Sequence, residues 1–365
     1  MATSILSRAL GHLKRPAVTL GGETYTYEHL LASAHRVSKH LAEKTGGVED
    51  ECVCVLAESG PDYVVATWAT WLSGRVAVPL SPSHPNKELE YFIQNCEAVN
   101  LLYCSGLEGK AGELAGPTGV RSTVVDVNAG LGKESKEAMV LSAEEREEIE
   151  TALRGIGSED GALIVYTSGT TGKPKGALHT HGSLGWQMRS MSEAWEWEPK
   201  DKILHCLPLH HIHGIVNALH CAHFNSAHVQ FLGSSFSPSR VWETLVSDDK
   251  ISVFMGVPTM YAYMLNSLQK KKQEESKSHS QCIQAARRLR LTVSGSSACP
   301  IPVMQRWRDI SGKLLLERYG MSETGMILSN PYESSKRVVG TVGKPMPHVK
   351  VRVDQGTGEL LVKSK

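Results

Sequence analysis

Residues 161–180 read GALIVYTSGTTGKPKGALHT. The first six, GALIVY, are as apolar as any buried strand. The next segment carries Thr167, Ser168, Thr170 and Thr171, with Gly169 and Gly172 between them and Lys173, Pro174 and Lys175 behind. Such a segment packs poorly in a core, but it suits an anion. Glycines let the backbone approach closely and present successive N–H groups, hydroxyls donate to phosphate oxygens, and lysines supply charge. A Walker A loop needs G-x-x-x-x-G-K-[ST] opening a helix. Here two residues separate Gly169 from Gly172, Pro174 follows the lysine, and GALHT reads as a strand. The spacing therefore predicts a strand–loop–strand hairpin with a phosphate-holding tip.

Outward from this hairpin the chain alternates short β-rich runs with helical stretches. ECVCVLAE, VAVPL and NLLYCS read as strands, with PDYVVATWATWLSG and HPNKELEYFIQNCEAV as helices between them. EEREEIETALRG reads as an exposed helix. After the hairpin, KILHCLPL, AHVQFLG, ISVFMGVP, LRLTVSG and KLLLERYG are strand candidates, separated by helices such as PSRVWETLVSDD and PTMYAYMLNSLQ. This is the βαβ pattern of largely parallel sheets covered by helices. KKKQEESKSHSQ is charged, lacks apolar period and reads as solvated. From Gly340 the pattern shifts to short alternating strands with turn residues. The expected organisation is an α/β unit over 1–160, a second over 161–335 that carries the phosphate loop and acyl pocket, and the start of a small β-barrel-like piece over 336–365.

Composition narrows the function. A chain of 365 residues, 41% hydrophobic, has ample core for this architecture. A formal net charge of +1 argues against nucleic acid as main partner. No run of roughly 18 apolar residues is present, so no transmembrane helix is expected. Eight scattered cysteines without a CxxC pair read as reduced thiols of a cytosolic or matrix compartment. The first 22 residues carry Arg8, Lys14 and Arg15 and no acid, which fits an organelle transit peptide or an ordinary first helix. Mitochondrial and cytoplasmic locations both stay open.

Two later segments complete a pattern. SGSSACP spans Ser294 to Pro300, and YGMSE spans Tyr319 to Glu323. With YTSGTTGKPKG, these three motifs in this order resemble the adenylate-forming superfamily of acyl-CoA synthetases, luciferases and peptide-synthetase adenylation domains. The resemblance runs from about Ala9 onward and implies the large N-terminal domain of such enzymes, with two mostly parallel sheets. It implies activation of a carboxylate by ATP with Mg²⁺, then transfer to the thiol of coenzyme A. By resemblance the residues from Thr167 to Lys175 hold the phosphates, with Thr167 and Lys175 acting in the adenylation step. Gly295, Ser296 and Ser297 lie against adenine, and Tyr319, Gly320, Met321 and Ser322 line the nucleotide, with Tyr319 stacking on the base. Glu323 binds Mg²⁺, a hard cation suited to one carboxylate plus phosphate. Ser322 stands where the family usually has threonine and keeps the hydroxyl.

HCLPLHHIHG brings together His205, His210, His211 and His213. No neighbouring Cys, Asp or Glu completes a zinc spacing. LPLHHIHG instead looks like the malonyl-CoA synthetase variant of the acyl-pocket motif, with His211 aligned to the histidine that reaches a second carboxylate. Arg290, four positions before Ser294, is the matching candidate cation, since a buried carboxylate suits the fork of an arginine. MGVPTMY and LLERYGMSE also resemble that group. Malonate is the expected acid, with methylmalonate or another short acid as alternatives. Family members continue into a ribose-binding aspartate, a hinge and a mobile C-terminal domain with a lysine. This chain ends at GELLVKSK, so its thioester step is expected to be impaired. A non-catalytic nucleotide-binding module and an unrelated NTPase are the competing readings.

Overall fold

A computed structural model describes residues 5–45, 51–126, 140–167, 172–233, 235–274 and 276–364. The chain divides into two compact units, residues 1–185 with 208–215 and residues 186–207 with 216–365.

The first unit opens with α1 (Ile5–Leu10), the hairpin of β1 (Pro16–Leu20) and β2 (Glu23–Thr26), and α2 (Tyr27–Thr45). Ile5, Leu6, Ala9 and Leu10 are buried, as an ordinary first helix requires. A βαβ series follows: β3 (Cys52–Leu56), α3 (Pro61–Leu72), β4 (Val76–Leu80), α4 (Asn86–Asn95), β5 (Asn100–Cys104), α5 (Glu108–Thr118) and β6 (Arg121–Val125). Pro61 sits in the first turn of α3, where a missing N–H costs nothing, and that helix is buried on nearly every side. Helix α6 (Ala143–Gly155) begins with a capping box: Glu145 N donates to Ser142 Oγ at 3.0 Å, and Ser142 N donates to Glu145 Oε2 at 2.8 Å. Only Ile149 of α6 is buried, which makes it the exposed helix expected. Strands β7 (Gly161–Thr167) and β8 (Lys175–Thr180) complete a sheet of order β6-β5-β3-β4-β7-β8. All pairs in it are parallel except β7–β8.

The hairpin reading of residues 161–180 thus holds, with Thr167 opposite Lys175 as the last pair before the tip. The expected break at 160/161 does not coincide with the compact units. Strand β4 pairs with β7, so the hairpin belongs to the first sheet and the unit runs on to Gly185.

The chain enters the second unit within α7 (His181–Ala194). Next come β9 (Lys202–His205), a π-helical stretch over His213–His220, α8 (Cys221–Phe224), β10 (His228–Phe231), α9 (Pro238–Ser247), β11 (Val253–Gly256), α10 (Pro258–Glu274), α11 (Ser276–Arg288) and β12 (Leu291–Ser294). Then follow α12 (Ile301–Ser311), β13 (Leu316–Met321), β14 (Gly325–Ser329) and β15 (Lys344–Pro345). Its strands run in the order β15-β14-β13-β12-β11-β9-β10, parallel from β10 to β13 and antiparallel from there to β15. The charged residues Lys270–Glu274 form the end of α10, and Ser276 opens α11. Strands β16 (Lys350–Val353) and β17 (Leu360–Lys363) form a separate, largely exposed antiparallel pair. No helix among the described residues is long and apolar enough to cross a membrane.

Candidate active site

In the first unit, the phosphate-loop candidate sits on the β7–β8 tip. Ser168, Gly169, Thr170 and Thr171 lie outside the described residues. Gly172, Lys173 and Lys175 are exposed and Pro174 is partly buried. Thr167 Oγ1 donates to Lys175 O at 3.5 Å across the neck of the hairpin. Tyr166 stacks on Phe92 of α4 with centroids 4.2 Å apart, and its hydroxyl donates to Asn95 Oδ1 at 2.7 Å. Lys173, on the loop, and Lys175, at the start of the mostly exposed edge strand β8, both face solvent, as an anion cradle requires.

His211 is also in the first unit, beside two other imidazoles. His210 lies 4.1 Å from His211 and 4.8 Å from His84, centroid to centroid. Desolvation, then the neighbours His211 and His84, pushes His210 down to about 3 from 6.5. Desolvation and His84 also lower His211. A neutral His211 donates one N–H but carries no charge, so the balancing charge for a bound carboxylate must come from another residue. No cluster among the described residues forms a metal site.

In the second unit, two loops leave the C-terminal edge of the parallel strands, the usual ligand-binding edge of such sheets. After β12, Gly295 is buried while Ser296 and Ser297 are exposed. Ser296 has φ of 71°, a left-handed conformation uncommon for a side chain with Cβ and typical of functional turns. The loop is braced by Glu317, which accepts from Cys299 N at 2.7 Å and whose carboxyl burial pushes up. After β13, the ring of Tyr319 is 38% exposed and Met321 45%, so both present apolar surface to a ligand. Gly320 is required sterically: a Cβ there would overlap Gly325 O and Met326. Ser322 is partly buried, and Glu323 is an exposed carboxylate at the turn. One exposed hard-oxygen donor next to a hydroxyl fits Mg²⁺, which takes its remaining ligands from phosphate and water.

Arg290 requires a correction. It precedes β12, at the N-terminal edge of the sheet. At about 3.3 Å per residue it stands roughly 13 Å from Ser294. Its guanidinium is committed internally. Nε donates to Asp201 Oδ1 at 2.6 Å, Nη2 to Asp201 Oδ2, and Nη1 to Trp195 O at 3.1 Å. Asp201 is 1% exposed and also accepts from Ser252 Oγ at 2.7 Å and Glu198 N at 2.8 Å. This is a structural pin, with no bidentate edge left for a substrate.

A candidate cation that the motifs alone do not single out is Arg318, next to Tyr319 in ERYG. Ser294 is in register with Glu317, so the next residues along, Gly295 and Arg318, meet at the ligand-binding edge. The contact is so close that a Cβ on residue 295 would overlap the guanidinium. Arg318 is 4% exposed, and among the described residues its Nε and Nη2 have no hydrogen-bond partner. Desolvation pushes it from 12.5 down to about 9. Nε and Nη2 form the same side-on edge that Arg290 offers Asp201, the edge that grips a carboxylate with two parallel bonds. The signal was present in sequence: Arg318 lies inside LLERYGMSE, a stretch that resembles the malonyl-CoA synthetase group.

The AMP-binding enzyme profile matches residues 7–365. The chain belongs to the AMP-binding enzyme family. It is 38% identical to a malonate–CoA ligase of Arabidopsis thaliana, over 98% of this chain and 62% of that protein. It is 37% identical to the human mitochondrial malonate–CoA ligase ACSF3, over 96% of this chain and 60% of that protein. A malonyl-CoA ligase structure with methylmalonyl-CoA and AMP bound superposes with a TM-score of 0.78 at 29% identity, over 96% of this chain and 69% of that one. ATP-bound MatB from Rhodopseudomonas palustris gives 0.78 at 29%, over 100% and 70%. The two-sheet α/β fold is that of these enzymes' N-terminal region. The chain spans about three fifths of the length of the curated relatives it matches.

Proposed function

We propose that this protein activates a short dicarboxylic acid, malonate first among them, with ATP and Mg²⁺ to an acyl-adenylate for transfer to coenzyme A. The observation that carries the substrate class is Arg318: a buried guanidinium with a bare bidentate edge beside the backbone of Gly295. A buried cation without a partner is costly, and an anionic group on the substrate supplies the partner. His211, held neutral by burial, is by motif a candidate N–H donor for an acid group. Arg290 supports the sheet.

The nucleotide roles rest on the motifs. Thr167 to Lys175 hold the phosphates that leave as pyrophosphate, with Thr167 and Lys175 nearest the reacting group. Gly295 to Ser297 and Tyr319 hold adenine, and Gly320 to Ser322 follow the α-phosphate. Glu323 would hold Mg²⁺, which when bound offsets the repulsion between two anions brought together. The lysines serve the same end. The names of the relatives, malonate–CoA ligases among them, support this reading. The unrelated NTPase is disfavoured by the strand that follows Lys175.

Malonate-dependent exchange of labelled pyrophosphate into ATP tests the proposal on this chain. Exchange with malonate and not with propionate is the expected result. ATP binding without any exchange would instead favour the non-catalytic module, and exchange with propionate alone would overturn the dicarboxylate assignment. Thioester formation with coenzyme A, measured separately, reads the second half-reaction.

A further inference from the structure

We infer that Tyr91 of α4 is a positioning residue for the phosphate loop, clasping its exit and holding Lys173 in place for the triphosphate tail. The inference rests on the reading of residues 167–175 as that loop. Tyr91 Oη donates to Pro174 O at 2.9 Å. The Lys173 ammonium lies 5.4 Å from the centroid of the Tyr91 ring. One turn further along the same helix, Asn95 accepts from the Tyr166 hydroxyl at 2.7 Å, and Phe92 stacks on the Tyr166 ring. A single helix therefore meets the chain on both sides of the tip, at Tyr166 on entry and Pro174 on exit.

Physical reasons make α4 the anchor. Among the described residues, the last pair of the β7–β8 ladder is Thr167–Lys175. Pro174 has no N–H for any ladder, and Tyr91 takes up its carbonyl. Leu89, Phe92 and Ile93 root α4 in the core cluster of the first sheet, against which Tyr91 and Tyr166 also pack. The cation–π contact orients the Lys173 amine without neutralising it. A phosphate oxygen, which binds an ammonium more strongly than a ring face does, can draw it off with little reorganisation. Tyr91 should matter for ligands carrying β- and γ-phosphates and be indifferent to AMP.

Tyr91→Phe keeps the ring under Lys173 and removes the bond to Pro174, whereas Tyr91→Leu removes both. The readouts are MgATP and AMP affinity of the full chain by calorimetry, tryptic cutting at Lys175–Gly176, and the thermal midpoint. Lys173 precedes proline and resists trypsin, so loop cutting reports on Lys175. Tyr91→Phe is expected to weaken MgATP about fivefold, the worth of one ordinary hydrogen bond. Tyr91→Leu should lose about tenfold or more. AMP affinity should stay within about twofold of the parent, and both variants should be cut faster. Parallel loss of ATP and AMP, or variants with parental ATP affinity and parental cutting, overturns the clasp while leaving the phosphate reading standing. A parent chain that binds AMP but gains nothing from the added phosphates overturns the phosphate reading and the clasp with it.

Discussion

Replacing Arg318 and Arg290 each by methionine separates the two arginines by opposite signatures. Arg318 is a buried cation with two bare donors among the described residues. Its depression from 12.5 to about 9 marks a desolvation cost on the order of a few kcal/mol. Methionine removes that cost and keeps most of the apolar stem's packing. Arg318→Met should therefore unfold within about 1 kcal/mol of the parent, or later. Arg290→Met strands Asp201, 1% exposed, without its bidentate partner, and breaking such a pair costs about 3–5 kcal/mol. At about 2 °C per kcal/mol for a chain this size, the midpoint should fall by about 6–10 °C. Binding reverses the order. Two charge-assisted bonds to a substrate carboxylate are worth about 1.5–3 kcal/mol each, so Arg318→Met should weaken malonate at least about a hundredfold. Correctly folded Arg290→Met should bind malonate within about threefold of the parent. Thermal unfolding with and without malonate, in MgATP and with propionate as the monocarboxylate control, reads both quantities in one titration. If Arg318→Met still binds malonate normally, or Arg290→Met loses malonate while keeping its midpoint, the assignment is wrong.

The buried histidines give a pH prediction. Burial lowers His210 and His220 to about 3 and His228 to about 4, all from 6.5. A base whose folded value lies below its unfolded one opposes folding once the unfolded chain takes up the proton. Their stability contribution is therefore complete above about pH 6.5 and is lost as pH falls toward the folded values, with a slope near pH 5 of up to about 4 kcal/mol per pH unit for three such groups. Urea midpoints measured from pH 7 to pH 5 should fall steeply, and a flat profile would refute the burial argument. Gly295→Ala puts a Cβ where the Arg318 guanidinium lies. It should cost about 1–3 kcal/mol in stability and abolish malonate-dependent exchange, whereas an unchanged malonate response would place the acid group elsewhere.

Much of this architecture was legible from periodicity. Runs such as CVCVL and VAVPL are apolar throughout because parallel strands are covered on both faces, and the helix between them, α3, begins at Pro61 and is followed by Gly74. The hairpin was legible because Pro174 and the GALHT strand exclude a helix after the loop. Which sheet the hairpin joins was not legible. The β4–β7 pairing that decides it links residues far apart in the chain and leaves no local mark, so the break was expected some 25 residues too early. The π-helical stretch at His213–His220 was hidden for a similar reason, since its apolar pattern alone does not distinguish helix types.

The misreading of Arg290 shows where motif reasoning ends and geometry begins. Both arginines lie within a few residues of a nucleotide motif, and a one-dimensional reading weighs them by distance along the chain. The sheet weighs them by edge. Arg290 enters β12 at the end away from the ligand loops, where Asp201 satisfies it. Arg318 stands at the opposite edge, and register brings it against the glycine of the adenine-side loop. An internal acid facing Arg318 would make the fold more secure and the pocket indifferent to a second carboxylate. Under the proposed function, leaving that edge bare makes the substrate the missing partner. A monocarboxylate of the same length leaves a buried guanidinium unpaired and is rejected on those grounds, by the asymmetry that lets a hydrogen-bonding pocket refuse a ligand lacking the group it expects by about 10⁴-fold or more. On that proposal, selectivity for a dicarboxylate over the simpler acid rests on one unsatisfied edge, and it should disappear if that edge is given an internal partner.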